Sequence, residues 1–198
     1  MTNIDLILAS SSRYRRELLD RLGVAYRTMS PDVDETPLAG EAPAALAQRL
    51  ARAKAQAVAA ANPGAVVIGS DQVCDLEGKP LGKPGNFEKA VAQLESMQGK
   101  RVVFHTAACV VHADGTFEET VSDTVIVMRS LSRETIEEYV RREEPYDCAG
   151  SAKIERLGIA LMQSVTSDDP TSLIGLPLMR LTSMLTRAGV PAIKGLTA

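Results

Sequence analysis

Apolar residues along the chain recur with two spacings: short runs and alternations that are typical of strands, and three-to-four-residue spacings that are typical of amphipathic helices. The predicted strands are 4–9, 25–29, 65–76, 101–111 and 117–128. The predicted helices lie between Ser12 and Gly23, Pro43 and Asn62, Asn86 and Gly99, Ser132 and Pro145, and Pro177 and Gly189. Because strands and helices alternate around one hairpin turn at 113–115, we expect an α/β fold with a mixed sheet.

Several stretches lack a regular pattern. Residues 30–37 and 79–84 contain prolines and charges that predict irregular loops, and only short extended pieces are predicted near 154 and at 159–162. No repeat, low-complexity segment or linker interrupts the chain. A length of 198 residues suits one compact unit, so we expect 1–198 to form a single domain, with room for two lobes.

The stretch 65–76 places a carboxylate inside an apolar strand. Val66, Val67 and Ile68 predict a buried strand, Gly69 allows a close approach of backbone or ligand, and Asp71 follows. A carboxylate that loses its hydration is usually paired with a cation or takes part in a reaction. The alternative is a Gly-Ser-Asp turn with a solvated aspartate, and this stretch alone leaves both interpretations open.

A second informative stretch joins the first strand to the first helix. Three serines precede a helix start that carries Arg13, Arg15 and Arg16. Cations are unfavourable at that end of an isolated helix, whereas a polyphosphate would be held there by free N–H groups and guanidinium groups. The alternative is a serine cap with solvated arginines. The stretch is not a Walker loop, because GxxxxGK[ST] is absent.

Acids and lysines elsewhere supply the other parts that phosphoanhydride cleavage needs. Carboxylates hold Mg²⁺ and position water, while cations neutralise phosphoryl oxygens. The candidates are Asp32, Asp34, Glu35, Lys54, Asp71 and Lys83. None is diagnostic by itself, and a loop acid such as Glu35 also suits a solvated surface.

Composition removes several functional classes. The net charge of −3 gives no support for a nucleic-acid or anionic-membrane surface. Two histidines, His105 and His112, are too few for a histidine zinc site or a Ser-His-Asp triad and read as ordinary strand residues. Three cysteines without a CxxC pair favour a reducing cytosol, and the start Met-Thr-Asn-Ile-Asp predicts no signal peptide.

The motifs together resemble those of one family. In chain order they are Ser10-x-Ser12, Arg15, Val33-Asp-Glu35, Lys54, Gly69-x-Asp71, Gly82-Lys-Pro84 and Ala149-Gly150. A chain with this order resembles the Maf-type nucleoside triphosphate pyrophosphatases nearly end to end. The resemblance implies the fold of the inosine-triphosphate pyrophosphatases, which is an elongated mixed sheet flanked by helices with two lobes around a cleft.

The resemblance also implies an activity, which is hydrolysis of a nucleoside triphosphate to the monophosphate and pyrophosphate with a divalent cation, Mg²⁺ or Mn²⁺. Asp71 matches the proposed base. The phosphate-side positions are Ser10, Ser12, Arg15, Lys54 and Lys83, and the metal-side positions are Glu35 and Asp71.

Within this family the chain is similar to the 7-methyl-GTP branch. Tyr14, Gln72 and Glu155 stand where dTTP- and UTP-specific relatives carry Arg, Thr and Gln. Two positions depart from the usual pattern: Arg13 replaces a proline, and Trp is the commoner aromatic where Tyr14 stands. N7-methylation makes guanine cationic, and a cationic base favours an aromatic face and a carboxylate over an arginine. Gln72 offers both donor and acceptor to a purine edge.

The expected function is therefore removal of 7-methyl-GTP or similar modified nucleotides from the cytoplasmic pool. A dTTP/UTP pyrophosphatase remains the alternative within the class, and a non-catalytic nucleotide-binding regulator of septum formation the alternative outside it. The nucleotide is the expected partner, with neither nucleic acid nor membrane. A homodimer is compatible with the sequence, which does not determine the oligomeric state.

Overall fold

The computed structural model describes residues 4–198, so the N-terminal triplet used in the signal-peptide prediction lies outside it. Seven strands form one mixed sheet: β1 (Leu6–Ala9), β2 (Arg27–Thr28), β3 (Val66–Leu76), β4 (Lys79–Leu81), β5 (Arg101–Val111), β6 (Phe117–Met128) and β7 (Met162–Ser167). Their order is β2-β1-β3-β5-β6-β7, with β4 on β3. β1 pairs in parallel with β2 and β3, and the other pairs are antiparallel. The predicted α/β fold with a mixed sheet is confirmed.

Five α-helices flank the sheet: α1 (Arg13–Asp20), α2 (Pro43–Ala60), α3 (Phe87–Met97), α4 (Arg133–Glu143) and α5 (Leu178–Arg187). Side-chain oxygens of Ser12, Asn86 and Ser132 accept backbone N–H bonds at the starts of α1, α3 and α4, as serine and asparagine caps do. Among residues 4–198, no helix is both long and apolar enough to cross a membrane.

The sheet divides along one edge of β3. Along this edge, β1 pairs with residues 66–69 of β3 and β4 pairs with residues 74–76. Residues 70–73 of β3 therefore lie between the two partner strands. Two apolar cores lie on either side of this division. One packs α1 and α5 against β1, and the other packs α3 and α4 against the far half of β3, β5 and β6. This arrangement gives the two lobes and the cleft that were predicted.

A third apolar core lies under α2, on the opposite face of the sheet from α1 and α5. Alternate residues of a strand point to opposite faces, so Val67 packs beneath α2 while Ile68 packs beneath α1 and α5. Leu46 and Leu50, which belong to the predicted helical stripe, are buried in this core. α2 is therefore fixed directly over the division of the sheet.

Two sequence predictions were wrong. The 79–84 stretch is not wholly irregular, because Lys79–Leu81 forms β4; Pro80 fits there since β4 has a free edge. The short extended pieces near 154 and at 159–162 are instead a turn and a 3₁₀-helix, Leu157–Leu161, followed by β7. β7 is an exposed edge strand of mostly polar residues, so it lacks the apolar alternation that predicts strands.

Candidate active site

A close contact between α2 and β3 sets the geometry of the cleft. A Cβ placed on Gly69 would lie 2.2 Å from the carbonyl oxygen of Ala51 and 2.6 Å from the backbone nitrogen of Ala55. Only glycine permits this approach, as the sequence predicted. Gly69 and Asp71 point to the same face of β3, so the contact brings Lys54 of α2 beside Asp71.

Lys54 and Asp71 form a buried ion pair at the division of the sheet. Lys54 Nζ lies 2.6 Å from Asp71 Oδ1 and 2.7 Å from Glu35 Oε1. Lys54 is 6% exposed and Asp71 is 8% exposed. β3 runs unbroken through residues 69–71, which rules out the turn with a solvated aspartate. Glu35, whose side chain is 57% exposed, extends this pair toward the solvent in the cleft.

The charges around Lys54 act on one another. Burial raises the pKa of Glu35, but the hydrogen bond and charge of Lys54, with Lys83 and Arg15, outweigh it and lower that pKa. Burial lowers the pKa of Arg15, against the opposing charges of Asp71 and Glu35. We call Arg15, Glu35, Lys54, Asp71 and Lys83 the Lys54 cluster.

The serine loop before α1 is held by its own hydroxyls. Ser10 Oγ accepts a hydrogen bond from the Ser12 N–H at 3.1 Å, and Ser12 Oγ accepts one from the Arg15 N–H at 3.4 Å. Arg15 Nε donates to the carbonyl oxygen of Gly175 at 2.9 Å, and Ser70 Oγ donates to the same oxygen at 3.1 Å. The loop is thus fixed beside β3, with the dipole of α1 favouring an anion in front of it.

Gln72 follows Asp71 but makes different contacts. Its amide nitrogen lies 3.0 Å from Thr106 Oγ1, 2.9 Å from the Ser172 carbonyl oxygen and 3.0 Å from that of Leu173. These contacts tie β3 to the short 3₁₀-helix Ser172–Ile174. Because the nitrogen already donates within the protein, the side-chain oxygen is the atom of Gln72 left to meet a ligand.

A second group of polar side chains lies around Lys153, which is 5% exposed. Lys153 Nζ donates to the carbonyl oxygens of Glu143 and Glu144 at 3.0 and 3.1 Å and lies 3.3 Å from Asp147 Oδ1. Tyr14 OH donates to Asp147 Oδ2 at 3.4 Å. Burial raises the pKa of Asp147, but the charge of Lys153 outweighs it and lowers that pKa.

We call Tyr14, Glu143, Asp147, Lys153 and Arg156 the Lys153 cluster. Arg13 extends it, since its guanidinium donates to Tyr14 OH at 2.8 Å and lies 4.8 Å from the centre of the Tyr14 ring. An aromatic face next to a carboxylate therefore already holds a planar cation of the protein itself.

Both clusters line one cleft with a volume of about 1120 Å³. The sequence-predicted residues in its wall are Ser10, Ser12, Tyr14, Arg15, Glu35, Lys54, Asp71, Gln72 and Lys83. Glu155 is exposed and is not among the cleft-lining residues, although Lys153 and Arg156 on either side of it are. Sequence reasoning missed Lys153 and Glu143, because neither residue stands in a recognisable motif.

The carboxylates of the cleft suit a cation that is shared with a ligand. Among residues 4–198, no group of three or more His, Cys, Asp or Glu side chains could hold a metal by itself. Glu35 and Asp71 nevertheless converge on one ammonium group, at 2.7 and 2.6 Å. Mg²⁺ commonly binds one or two carboxylates and completes its shell with water and phosphate oxygens.

The fold and the cleft define an α/β protein in which a serine-capped helix start lies in the same cleft as a buried lysine–carboxylate pair. The family model described as Maf-like protein matches residues 5–188. A protein of Polaromonas sp. named 7-methyl-GTP pyrophosphatase is 58% identical over 96% of this chain and 87% of its own length. A protein of the same name from Bordetella pertussis is 59% identical over 96% and 95%. The chain belongs to the Maf family.

Solved structures give partial matches. The match to the Ham1 protein of Staphylococcus aureus covers 63% of this chain and 71% of the Ham1 chain, with 18% identity and a TM-score of 0.47. A dITP/XTP pyrophosphatase from Mycobacterium abscessus covers 65% and 76%, with 16% identity and a TM-score of 0.42.

Proposed function

We propose that this protein hydrolyses 7-methyl-GTP, or a similarly modified nucleoside triphosphate, to the monophosphate and pyrophosphate. The observation that carries this proposal is the buried Lys54–Asp71 pair, with a 2.6 Å contact, in the same large cleft as the serine and arginine loop. Relatives that are 57–59% identical over nearly the whole chain and are named 7-methyl-GTP pyrophosphatase support the choice of substrate.

In this proposal Asp71 positions the attacking water and accepts its proton. Water adds to phosphorus, and the bond between the α- and β-phosphates breaks. Lys54 contacts Asp71 at 2.6 Å, so it keeps the carboxylate oriented while its charge faces the phosphates. A positioned general base contributes about 10²–10⁴-fold to a rate.

The triphosphate is held by the cationic and hydroxyl groups around that pair. Arg15 is fixed by the Gly175 carbonyl oxygen, so its terminal guanidinium nitrogens remain for phosphate. Ser10 and Ser12 accept backbone bonds through their oxygens, so each keeps its hydroxyl proton to donate. Lys83 lines the cleft wall beside Leu81 and Gly82, in the segment that follows β4.

A divalent cation fits this donor set. Glu35 and Asp71 would hold Mg²⁺ or Mn²⁺ together with phosphate oxygens, because their carboxylates already meet around one positive group. When bound, such an ion neutralises charge on the phosphates and on the leaving pyrophosphate.

Base selectivity is assigned to Tyr14, Gln72 and Glu155. Tyr14 would stack on a cationic purine, and the oxygen of Gln72 would accept from its edge. Glu155 lies outside the cleft wall, so it would act on the base through its charge rather than by direct contact. The residue is exposed as a whole, but partial burial of its carboxyl group raises the pKa of Glu155, and its charge interacts with those of Lys153, Glu143 and Arg156 in the cleft wall.

The experiment is a panel of nucleotides tested for pyrophosphate release with Mg²⁺ and with Mn²⁺. The proposal expects 7-methyl-GTP to exceed GTP by roughly one to two orders of magnitude in kcat/KM, at about 1.4 kcal/mol per tenfold. A preference for dTTP or UTP would contradict the substrate. Tight nucleotide binding without pyrophosphate release would favour the non-catalytic regulator.

We further propose that residues 1–198 act as one domain in the cytoplasm, with the nucleotide as partner and with neither nucleic acid nor membrane. The net charge of −3 and the three free cysteines support this. A homodimer is the assembly to test, by light scattering at assay concentration.

A further inference from the structure

One carboxylate in the cleft wall lacks the hydrogen bonds that burial demands. Glu143 is the last residue of α4, and its side chain is only 7% exposed. Its Oε2 atom is buried and accepts no hydrogen bond from any of residues 4–198. Arg156 Nε forms an ion pair with this atom at 3.2 Å but no hydrogen bond, and the Arg156 side chain is itself 61% exposed. A buried carboxylate oxygen without a hydrogen bond costs free energy, so it needs an explanation.

The neighbouring lysine does not supply those donors. Lys153 Nζ donates to the main-chain oxygens of Glu143 and Glu144 and pairs with Asp147 at 3.3 Å. An ammonium group has three N–H bonds, and these three partners take them all. Lys153 therefore holds the end of α4 in place, and Glu143 is one of the residues that line the cleft.

We propose that Glu143 is a specificity-determining residue that accepts hydrogen bonds from the nucleotide base. This inference rests on the proposed function of the same cleft. A carboxylate accepts N–H donors and attracts positive charge, so it favours a base with an N–H-rich edge and a net positive charge. Guanine offers a ring N–H beside an amino group, and methylation at N7 adds the charge. Uracil presents one N–H between two carbonyl oxygens, and a carboxylate repels those oxygens.

The test compares Glu143→Gln with Glu138→Gln, which removes the same charge from an exposed position of the same helix outside the cleft wall. Pyrophosphate release is measured on 7-methyl-GTP, GTP and UTP, and binding of 7-methyl-GMP is measured by calorimetry. Glu143→Gln should lose about 10- to 100-fold in kcat/KM and in affinity on the methylated base, as a hydrogen bond to a charged group would, and about threefold or less on UTP. Glu138→Gln should match the wild type.

Thermal unfolding separates this role from a structural one. If Glu143 serves the ligand, Glu143→Gln removes a buried charge that has no hydrogen bond and only one ion pair, to the largely exposed Arg156, so its Tm should stay the same or rise. A lower Tm with equal losses on all three nucleotides, or unchanged kinetics, would overturn the assignment and leave the pyrophosphatase activity standing. Absence of pyrophosphate release from any nucleotide in the wild type would instead reject the proposed function itself.

Discussion

The two clusters in the cleft are built differently. In the Lys54 cluster, opposite charges meet at 2.6 and 2.7 Å, and Lys54 and Asp71 stand on α2 and β3, which are locked together at Gly69. In the Lys153 cluster, Tyr14 and Asp147 are 3.4 Å apart, and Glu143 Oε2 has no hydrogen bond from the described residues. The Lys54 cluster is thus centred on two short ion pairs, whereas the ion pairs of the Lys153 cluster are longer, at 3.2 and 3.3 Å, and one of its buried oxygens has no hydrogen bond.

The difference between the two clusters indicates which one would bind the common triphosphate and which one would select the base. Phosphates are common to all nucleoside triphosphates, so a fixed set of charges can serve every substrate. Bases differ, and a group that only the correct base satisfies discriminates by leaving a buried acceptor unpaired for the others. We therefore expect substitutions in the Lys54 cluster to scale all activities, and substitutions in the Lys153 cluster to change their ratios.

The largest expected effect is at Asp71. Asp71→Asn removes the proton acceptor but keeps the side-chain shape, so turnover should fall by about 10²–10⁴-fold while nucleotide binding largely survives. Asp75→Asn is the matched control, because Asp75 lies on the same strand and face but outside the cleft wall. Single-turnover pyrophosphate release and calorimetric binding test both. Near-normal turnover in Asp71→Asn would show that Asp71 is not the base.

Arg15→Ala should give the next largest effect. Losing a charged phosphate contact should lower kcat/KM by about 10- to 100-fold, and by the same factor on every nucleotide, because phosphates carry no base identity. Arg16→Ala serves as control, since Arg16 is the next residue of α1, is exposed and does not line the cleft. A loss confined to one base would contradict this assignment.

Tyr14→Leu should have a smaller and selective effect. A cation–π contact is worth about 0.5–2 kcal/mol, so the variant should lose about 2- to 30-fold on 7-methyl-GTP and little on UTP. Tyr14→Phe keeps the ring and removes only the hydroxyl's two exposed hydrogen bonds, to Asp147 at 3.4 Å and from Arg13 at 2.8 Å, so it should retain most of the activity. Similar losses in the two variants would mean that the hydroxyl, rather than the ring, matters.

The smallest expected effect is at Glu155. Its side chain is exposed and outside the cleft wall, so solvent screens its charge, and Glu155→Gln should change the ratio of 7-methyl-GTP to GTP activity by about threefold or less. Steady-state kinetics on the two nucleotides measure this ratio. A tenfold change would show that Glu155 touches the base directly, which requires the segment around it to move on binding.

The Lys54 cluster was largely predictable from the sequence. The apolar run before Gly69 predicts a buried strand, and a carboxylate two residues later is unusual enough to be noticed. The arginines at the start of α1 and the serine loop before them add independent chemical signals. What the sequence did not give is the pairing of Lys54 with Asp71 and Glu35, because helix-to-strand contacts over such separations are set by packing.

The Lys153 cluster was not predictable in the same way. Glu143 follows arginines in the last turn of an amphipathic helix and reads as a solvated residue. Its burial depends on Lys153 donating to main-chain carbonyls, and such contacts leave no pattern in side-chain spacing. Gln72 was predicted to meet the base, but its amide nitrogen contacts residues 172–173, about 100 positions away.

The division between the two clusters is tested most directly by one ratio. This is kcat/KM for 7-methyl-GTP divided by that for UTP, measured by pyrophosphate release in the wild type, Arg15→Ala and Tyr14→Leu. The account predicts that Arg15→Ala lowers both values and leaves the ratio unchanged, while Tyr14→Leu lowers the ratio by about 2- to 30-fold. A changed ratio in Arg15→Ala together with an unchanged one in Tyr14→Leu would contradict it.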